Sequence, residues 1–425
     1  MRGLSSHSTA TITADSRLNT YLTPLRRCVI LFLLLCLAIP AAHADVANAP
    51  GANLEVSLIT YGPGETYWER FGHDAIEIRD TVSGEAVNFN YGVFDFDESG
   101  FLFNFARGRM HYLMDAARSE DDERYYVETG RSVTRQRLAF TPEQATALRD
   151  YLLWNLRPEN VRYDYDYYVT NCSTRVRDVL DKALGGVLKT ALQAHPGGMT
   201  YRQQTARLMS NQSWLMLILD LGLGPYADQP LNAWQESFLP MVLERELTGI
   251  KAGDGQGGTR PLVIDEQVLS PNRLQAPPDN APDLRLPLAI AGLVFAVLLI
   301  ALQRIWPIGY ALLASLYLLL AGVVGTILLI LWLGTAHHSA WANANLLLFN
   351  PLAWLLFASV WRARRGVATS RFANAVLVIQ LVAALVAIAL HLPPGVVQQN
   401  QPWLLFALPC WLALAFTLRR NPRPA

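Results

Sequence analysis

Beyond residue 285 the sequence can no longer be that of a water-soluble domain. Five apolar runs, 286–303, 308–334, 346–361, 372–392 and 403–418, follow one another without a single Asp, Glu, Lys or Arg inside them. The first, second and fourth approach the roughly 20 residues that carry a helix across a bilayer core, and the other two are shorter but flanked by tryptophan. Arg304, then Arg362, Arg364, Arg365 and Arg371, then Arg419, Arg420 and Arg423 occupy one set of connections. The alternate connections, 335–345 and 393–402, hold no Lys or Arg. The positive-inside rule then predicts a cytoplasmic C-terminus and places everything before residue 285 outside, a parity that five spans satisfy. Basic and acidic residues balance at 35 each, so nothing in the charge points to a nucleic-acid partner.

Near the N-terminus, Arg26-Arg27 precede an apolar stretch, 28–39, that is too short to span comfortably, and Pro40-Ala41-Ala42-His43-Ala44 offers a small-x-small cleavage site. Residues 1–44 therefore read as a signal peptide, 45–250 as an exported catalytic domain, 251–285 as a Gly/Pro-rich linker or collar, and 286–425 as an all-α transmembrane domain. Cys28 and Cys36 leave with the signal and Cys410 lies in an apolar run, so Cys172 is the sole thiol of the exported part. It has no partner for an internal disulfide and remains a free thiol in an oxidising compartment.

The segment around that thiol is patterned. Val176, Val179, Leu180, Ala183 and Leu184 follow a helical rhythm after Cys172, Asn171 stands at the N-cap, and Gly185-Gly186 stop the helix. A thiol on the first turn faces unpaired N–H groups and the positive end of the helix dipole, which predicts a thiolate. Upstream, residues 54–61, 74–79, 87–91 and 132–140 read as strands, with His73 opening the second. Thr141-Pro142-Glu143-Gln144 is a capping box that opens a helix to about 156.

A nucleophilic thiol needs a base, and only His73, His111 and His195 lie between 45 and 285. His73 suits best, since a helix packed on a sheet can bring a strand start and a helix start together; Asn90 or Asn88 on the next strand could orient its ring. His195 is the rival because it follows the cysteine, and His111 fits better as a residue lining the site. No His-Glu-x-x-His or paired-Cys spacing calls for a metal, and His73-Asp74 with Asp95 and Asp97 reads as solvated turn carboxylates. The pair His337-His338, with Asn343 and Asn345, falls in an outer loop, where it could hold a lipid headgroup or floor the site.

Several ordered motifs resemble one family. Phe71-Gly72-His73, Asn90-Tyr91-Gly92 through Phe96, Asn104-Phe105 with Gly108 and Tyr112, Arg131 with Gln136 and Leu138, Pro158-Glu159-Asn160, Tyr163-x-Tyr165-Asp166 and Asn171-Cys172-Ser-Thr-Arg175 look like the Lnb N-terminal periplasmic domain family. The five-span tail with His338, Asn343, Asn345 and Asn350-Pro351-Leu352 looks like that family's membrane domain; where the family shows Asp-His, this chain reads His337-His338. The resemblance implies an α+β periplasmic domain with a circularly permuted papain-like (NlpC/P60-related) fold. It also implies lipoprotein N-acyltransferase activity without a cofactor, in the inner membrane of a bacterial cell envelope. Phospholipid would be the acyl donor and diacylglyceryl lipoproteins the acceptors. Cys172 matches the nucleophile, His73 the base, and Asn90 is taken as the third member. Tyr91, Tyr112, Tyr165, Asn171, His338, Asn343 and Asn345 are expected to line the substrate site. Two other classes share parts of this pattern, a cell-wall cysteine amidase or peptidase and a non-enzymatic membrane-tethered binding module.

Overall fold

The computed structural model describes residues 43–94, 100–255, 257–392 and 397–419. Nearly all of the expected signal peptide, together with Asp95, Asp97, Arg420 and Arg423, lies outside the described residues.

The exported part is an α+β unit around a seven-stranded antiparallel sheet in the order β6-β4-β3-β2-β1-β5-β9. A short helix, α1 (His43–Asn48), precedes β1 (Leu54–Tyr61), β2 (His73–Asp80) and β3 (Ala86–Val93). After α2 (Phe101–Ala106) come β4 (Met110–Arg118), α3 (Ser119–Glu128), β5 (Val133–Leu138), α4 (Pro142–Asn155) and β6 (Arg162–Tyr165). The sheet alternates as a two-faced sheet must. Val56, Leu58, Ile76, Ile78, Phe89 and Tyr91 are buried in one core with Val176 and Leu180 of α5 (Cys172–Ala183) and Leu148 and Leu152 of α4. Ile59, Tyr61, Ala75 and Val133 face the other side, packed against Tyr126 and Val127 of α3.

Helices α6 (Val187–Ala194), α7 (Tyr201–Leu208), α8 (Ser213–Gly222), α9 (Ala233–Glu236) and α10 (Pro240–Leu247) complete the unit. The presumed collar has more structure than its composition suggested. It holds a small hairpin, β7 (Lys251–Gly253) with β8 (Thr259–Pro261), and then β9 (Val263–Ser270), which pairs along β5 as the last strand of the main sheet. The folded unit thus continues to Ser270 instead of ending near 250, and only the stretch after it connects to the membrane part.

Five segments follow that are long and apolar enough to cross a bilayer: α11 (Arg285–Ile305), α12 (Pro307–Gly334), Ala344–Ala363, α14 (Arg371–Ala389) and α15 (Gln401–Arg419). The third is not one helix. Short 3₁₀ turns, Ala344–Leu347 and Pro351–Leu356, lead into α13 (Phe357–Ala363), with the break at Asn350-Pro351. A proline has no N–H to give and displaces the carbonyl of the preceding turn, so the freed groups need other partners. Gln380 of α14 donates to Leu347 O at 3.1 Å, Trp411 of α15 donates to Leu348 O at 2.8 Å, and Asn350 donates to Gln380 Oε1 at 2.7 Å. Gly325 on α12 makes room: a Cβ there would stand 2.3 Å from the Asn350 Cα.

The two parts are clamped together. Asn343 donates to the carbonyls of Leu221, Gly222 and Leu223, and Asn345 to that of Leu221, at 2.9–3.2 Å. Arg202 of α7 lies at the centre of the junction, bound to Asp228 at 2.7 and 3.0 Å, to Asp220 at 3.1 Å and to Leu223 O at 2.8 Å. Trp403 of α15 closes the cluster by donating to Asp220 Oδ2 at 2.7 Å.

Candidate functional site

The helix that carries the thiol starts where the sequence put it. Asn171 Oδ1 accepts from Thr174 N at 2.9 Å, and Thr174 Oγ1 accepts from Asn171 N at 2.8 Å, a reciprocal capping box that fixes Cys172 as the first helical residue. The rest of the Asn171 side chain donates to Tyr167 O and Phe238 O at 3.1 and 2.8 Å. Asn171 is therefore spent on building the turn and has no donor left for a substrate.

α5 packs against β2 and β3, and its tip rests on Gly92, where the β3–β4 register shifts. Gly92 has φ +95°, and an added Cβ would come within 3.3 Å of Cys172 Cβ, so the close approach needs a glycine. The backbone N–H groups of Asp74, Ser173 and Cys172 favour the thiolate form of the sulfur. Ser173 Oγ stands 2.7 Å from Asp74 Oδ2, so the residue after the thiol touches the residue after His73.

His73 lies at the start of β2 with its ring on the α3 side. Its Nε2 is 2.9 Å from Asn90 Oδ1, and the ring lies parallel to Tyr61 and Tyr126 at 6.0 and 6.2 Å. Tyr126 also senses Cys172, since a thiolate there disfavours its ionisation. His73 and Asn90 thus pair on the α3 side, Cys172 tops α5 next to Ser173 and its partner Asp74, and no hydrogen bond joins Cys172 to His73 among the described residues. Asn88, the other option for the third position, donates instead to Tyr61 Oη at 2.9 Å and Asp122 at 3.1 Å.

The charge state departs from expectation. Burial pushes the Cys172 thiol up to about 12, helped by the neighbouring Asp74 carboxyl and opposed by the three N–H groups. Burial also pulls His73 down to about 4, against the Asn90 hydrogen bond. Desolvation outweighs the helix dipole here. The resting pair is a neutral thiol and a neutral imidazole, not the thiolate read from the helix tip.

Asp74 was missed in the sequence as a site residue; a carboxylate at an inward strand position was the available signal. Its Oδ1 accepts from Thr60 Oγ1 at 2.9 Å, and its Oδ2 is 2.7 Å from Ser173 Oγ, which is also 3.0 Å from Ser237 O. The Ser173 hydroxyl has one proton for two acceptors, and a protonated Asp74 resolves the conflict by donating to it. Burial accordingly pushes Asp74 up to about 7. The raised value favours the neutral carboxyl in the fold, so stability is full below about pH 4 and declines as pH rises through 7. Asp74→Asn copies the neutral form and is expected to raise stability by about 2–4 kcal/mol at pH 8 but not at pH 4. Thermal unfolding at both pH values checks this; an equal loss at each would refute it.

An aromatic cluster lies beside the sulfur. Tyr112 stacks on Tyr165 at 4.1 Å, with Phe94, Phe101, Phe105, Met110, Tyr163 and Tyr167 around them. Tyr91 is fully buried and gives its hydroxyl to Asn155 at 2.8 Å, so it belongs to the main core and not to this cluster. Next to this cluster, Leu102 and Phe103 are 75% and 63% exposed, and Arg107 O accepts from Ala336 N at 2.8 Å in the first membrane-side loop.

The two loop histidines separate in role. His337 Nε2 is 3.0 Å from Phe105 O, with its ring stacked on Tyr167 at 6.0 Å, while His338 Nδ1 is 3.4 Å from Asp166 Oδ2. Asp166 Oδ1 accepts from Tyr168 N and Val169 N, which shapes the turn leading to Cys172, so His338 borders that turn. Asn343 and Asn345, expected at the substrate, are fully buried in the junction with their amides engaged on protein. His111 pairs on the surface with Asp164 at 2.9 Å, and His195 is exposed at the end of α6. Neither adjoins Cys172. Among the described residues no His/Cys/Asp/Glu group has a metal-binding arrangement.

Residues 43–211 match the family model described as the Lnb N-terminal periplasmic domain, and residues 280–419 match the one described as the Lnb transmembrane domain. No curated protein and no solved structure matches the chain.

Proposed function

The chain belongs to the family that joins an Lnb N-terminal periplasmic domain to an Lnb transmembrane domain, and from that premise we propose that it is a membrane-bound thiol acyltransferase acting on lipids at the outer face of the bacterial inner membrane. The observation that supports the reading is a thiol on the first turn of α5 whose neighbour Ser173 touches Asp74, the residue after a His73 that pairs with Asn90, beside an aromatic cluster that reaches the membrane-side loop.

In the reaction, the Cys172 sulfur attacks an ester carbonyl of a phospholipid while its proton passes to His73. Donors suited to the oxyanion are the N–H groups of the helix tip. The imidazolium returns the proton to the departing lysophospholipid alkoxide and leaves an acyl thioester. The α-amine of a diacylglyceryl-cysteine lipoprotein then attacks that thioester, losing its proton to His73 and expelling the thiol. A neutral resting pair suits this scheme, since His73 works as a base only while the sulfur attacks. The aromatic cluster beside the sulfur is apolar enough to keep water from the thioester and has the right chemistry to meet an acyl chain.

Histidine before cysteine, on a strand and a helix tip, supports a circularly permuted papain-like fold. The arginines at 304, 362, 364, 365, 371 and 419, against none in 335–345, support a cytoplasmic C-terminus. The test is purified protein in phospholipid vesicles with a synthetic diacylated lipopeptide. The expected products are N-acylated lipopeptide and an equal amount of lysophospholipid, with an acyl adduct on the Cys172 peptide by mass spectrometry. Peptide release from peptidoglycan without acyl transfer would favour the amidase instead.

A further inference from the structure

Asn90 can serve His73 in only one orientation, and a carboxylate on α3 decides which. Asp122 Oδ2 accepts from Asn90 Nδ2 at 2.8 Å and from Asn88 Nδ2 at 3.1 Å. Burial pushes Asp122 up while its two amide donors, Asn90 and Asn88, oppose the rise; as a carboxylate it has no proton to give, so it selects the NH₂ side of the Asn90 amide. The opposite side, Oδ1, is then the atom 2.9 Å from His73 Nε2, and an amide oxygen can only accept. His73 must therefore carry its ring proton on Nε2, which leaves Nδ1 as the one nitrogen with a lone pair. We propose that Asp122 is a positioning residue that acts through Asn90 to hold His73 in the tautomer able to take the Cys172 proton. This rests on the Cys–His reading above and extends it by one residue.

Two features make the relay more than packing. Asn90 is buried, at 8% exposure, so no bulk water replaces the carboxylate on its amide nitrogen. Asn88 is tied to the same oxygen and to the Tyr61 hydroxyl, beneath the His73 ring, so the whole layer under the imidazole is held in one polarity. Without an acceptor at 122 the Asn90 amide gains a reason to turn over, since its NH₂ could then donate to a deprotonated Nε2. That turn moves the ring proton to Nδ1 and removes the base.

Asp122→Ala is expected to lower kcat about 10- to 100-fold with KM within about twofold, the range a misplaced general base gives. Asp122→Asn keeps an oxygen acceptor and should recover at least about tenfold of a large loss. In the Asn90→Ala background, adding Asp122→Ala should change nothing further, because the effect runs through Asn90. The same cycle is read independently of acyl transfer by the rate of iodoacetamide alkylation of the Cys172 peptide, followed by mass spectrometry. ¹⁵N-histidine NMR of the full chain, with His73→Ala to assign the signal, reports the tautomer directly. A His73 signal unchanged in Asp122→Ala, or losses that multiply in the double variant, would overturn the proposal. Absence of acyl transfer in the wild type would sink the function but leave the alkylation and NMR arms able to judge Asp122.

Discussion

Serine at position 172 is expected to cut acyl transfer by at least about 10³-fold, and alanine at position 73 by a comparable factor, with the double variant no worse than either alone. In the proposed reaction sulfur and imidazole act as one unit: each is neutral at rest, with the thiol pushed up to about 12 and the imidazole pulled down to about 4. Neither reacts without the other. A serine hydroxyl is a harder acid to deprotonate, and the same burial would raise it further. The measurement is lysophospholipid release and lipopeptide acylation in vesicles. A Cys172→Ser variant retaining a tenth of wild-type rate would end the covalent scheme. The depressed imidazole also places the acid limb of kcat/KM near pH 4: protonation of His73 blocks proton uptake, and burial delays that protonation from the usual 6.5. Loss of activity already near pH 6.5 would contradict the burial argument.

Replacing Arg202 with methionine is expected to cost about 3–5 kcal/mol, the penalty for leaving buried carboxylates without their cation. The Asp228 side chain is 1% exposed and that of Asp220 8%, and both depend on this guanidinium. Lysine keeps the charge but not the fork that engages both oxygens of Asp228, so it should recover only part of the loss. Arg245→Ala supplies the contrast. Its pair with Glu246 is 63% exposed on the arginine side, and pairs of that kind are worth about 1 kcal/mol or less. Thermal unfolding of the full chain in detergent tests both. Equal stability of Arg202→Met and wild type would show that the junction tolerates two unpaired acids.

How legible each element was follows from where its signal came from. The Cys172 helix had three coincident cues, an Asn cap, an apolar stripe and a Gly-Gly stop, and both glycines take positive φ just beyond it. Strands β1 to β3 alternate over a covered face and stood out for that reason. β4 was hidden because an aromatic-rich stretch reads as apolar at any period, and α3 because Ser119–Glu128 has no apolar stripe to betray a helix. Asp122 fell with α3; the acidic first turn, Glu120-Asp121-Asp122, was the cue that could have found it. β9 sits on a sheet edge with half of its residues exposed and one buried, so its sequence carries little hydrophobic pattern. The thiolate expectation failed for a different reason: a dipole can be inferred from a sequence, but the depth at which a side chain is desolvated cannot. Asn343 and Asn345 looked like ligands because an uncharged polar cluster at a membrane boundary has the same composition whether it faces substrate or carbonyls.

The interrupted third crossing is not self-contained. A segment entering the bilayer alone must satisfy its own main chain, and this one cannot, because the carbonyls of Leu347 and Leu348 look to Gln380 and Trp411, which are synthesised later. In the folded chain this stretch therefore depends on its successors: crossings four and five supply the donors that its own main chain lacks.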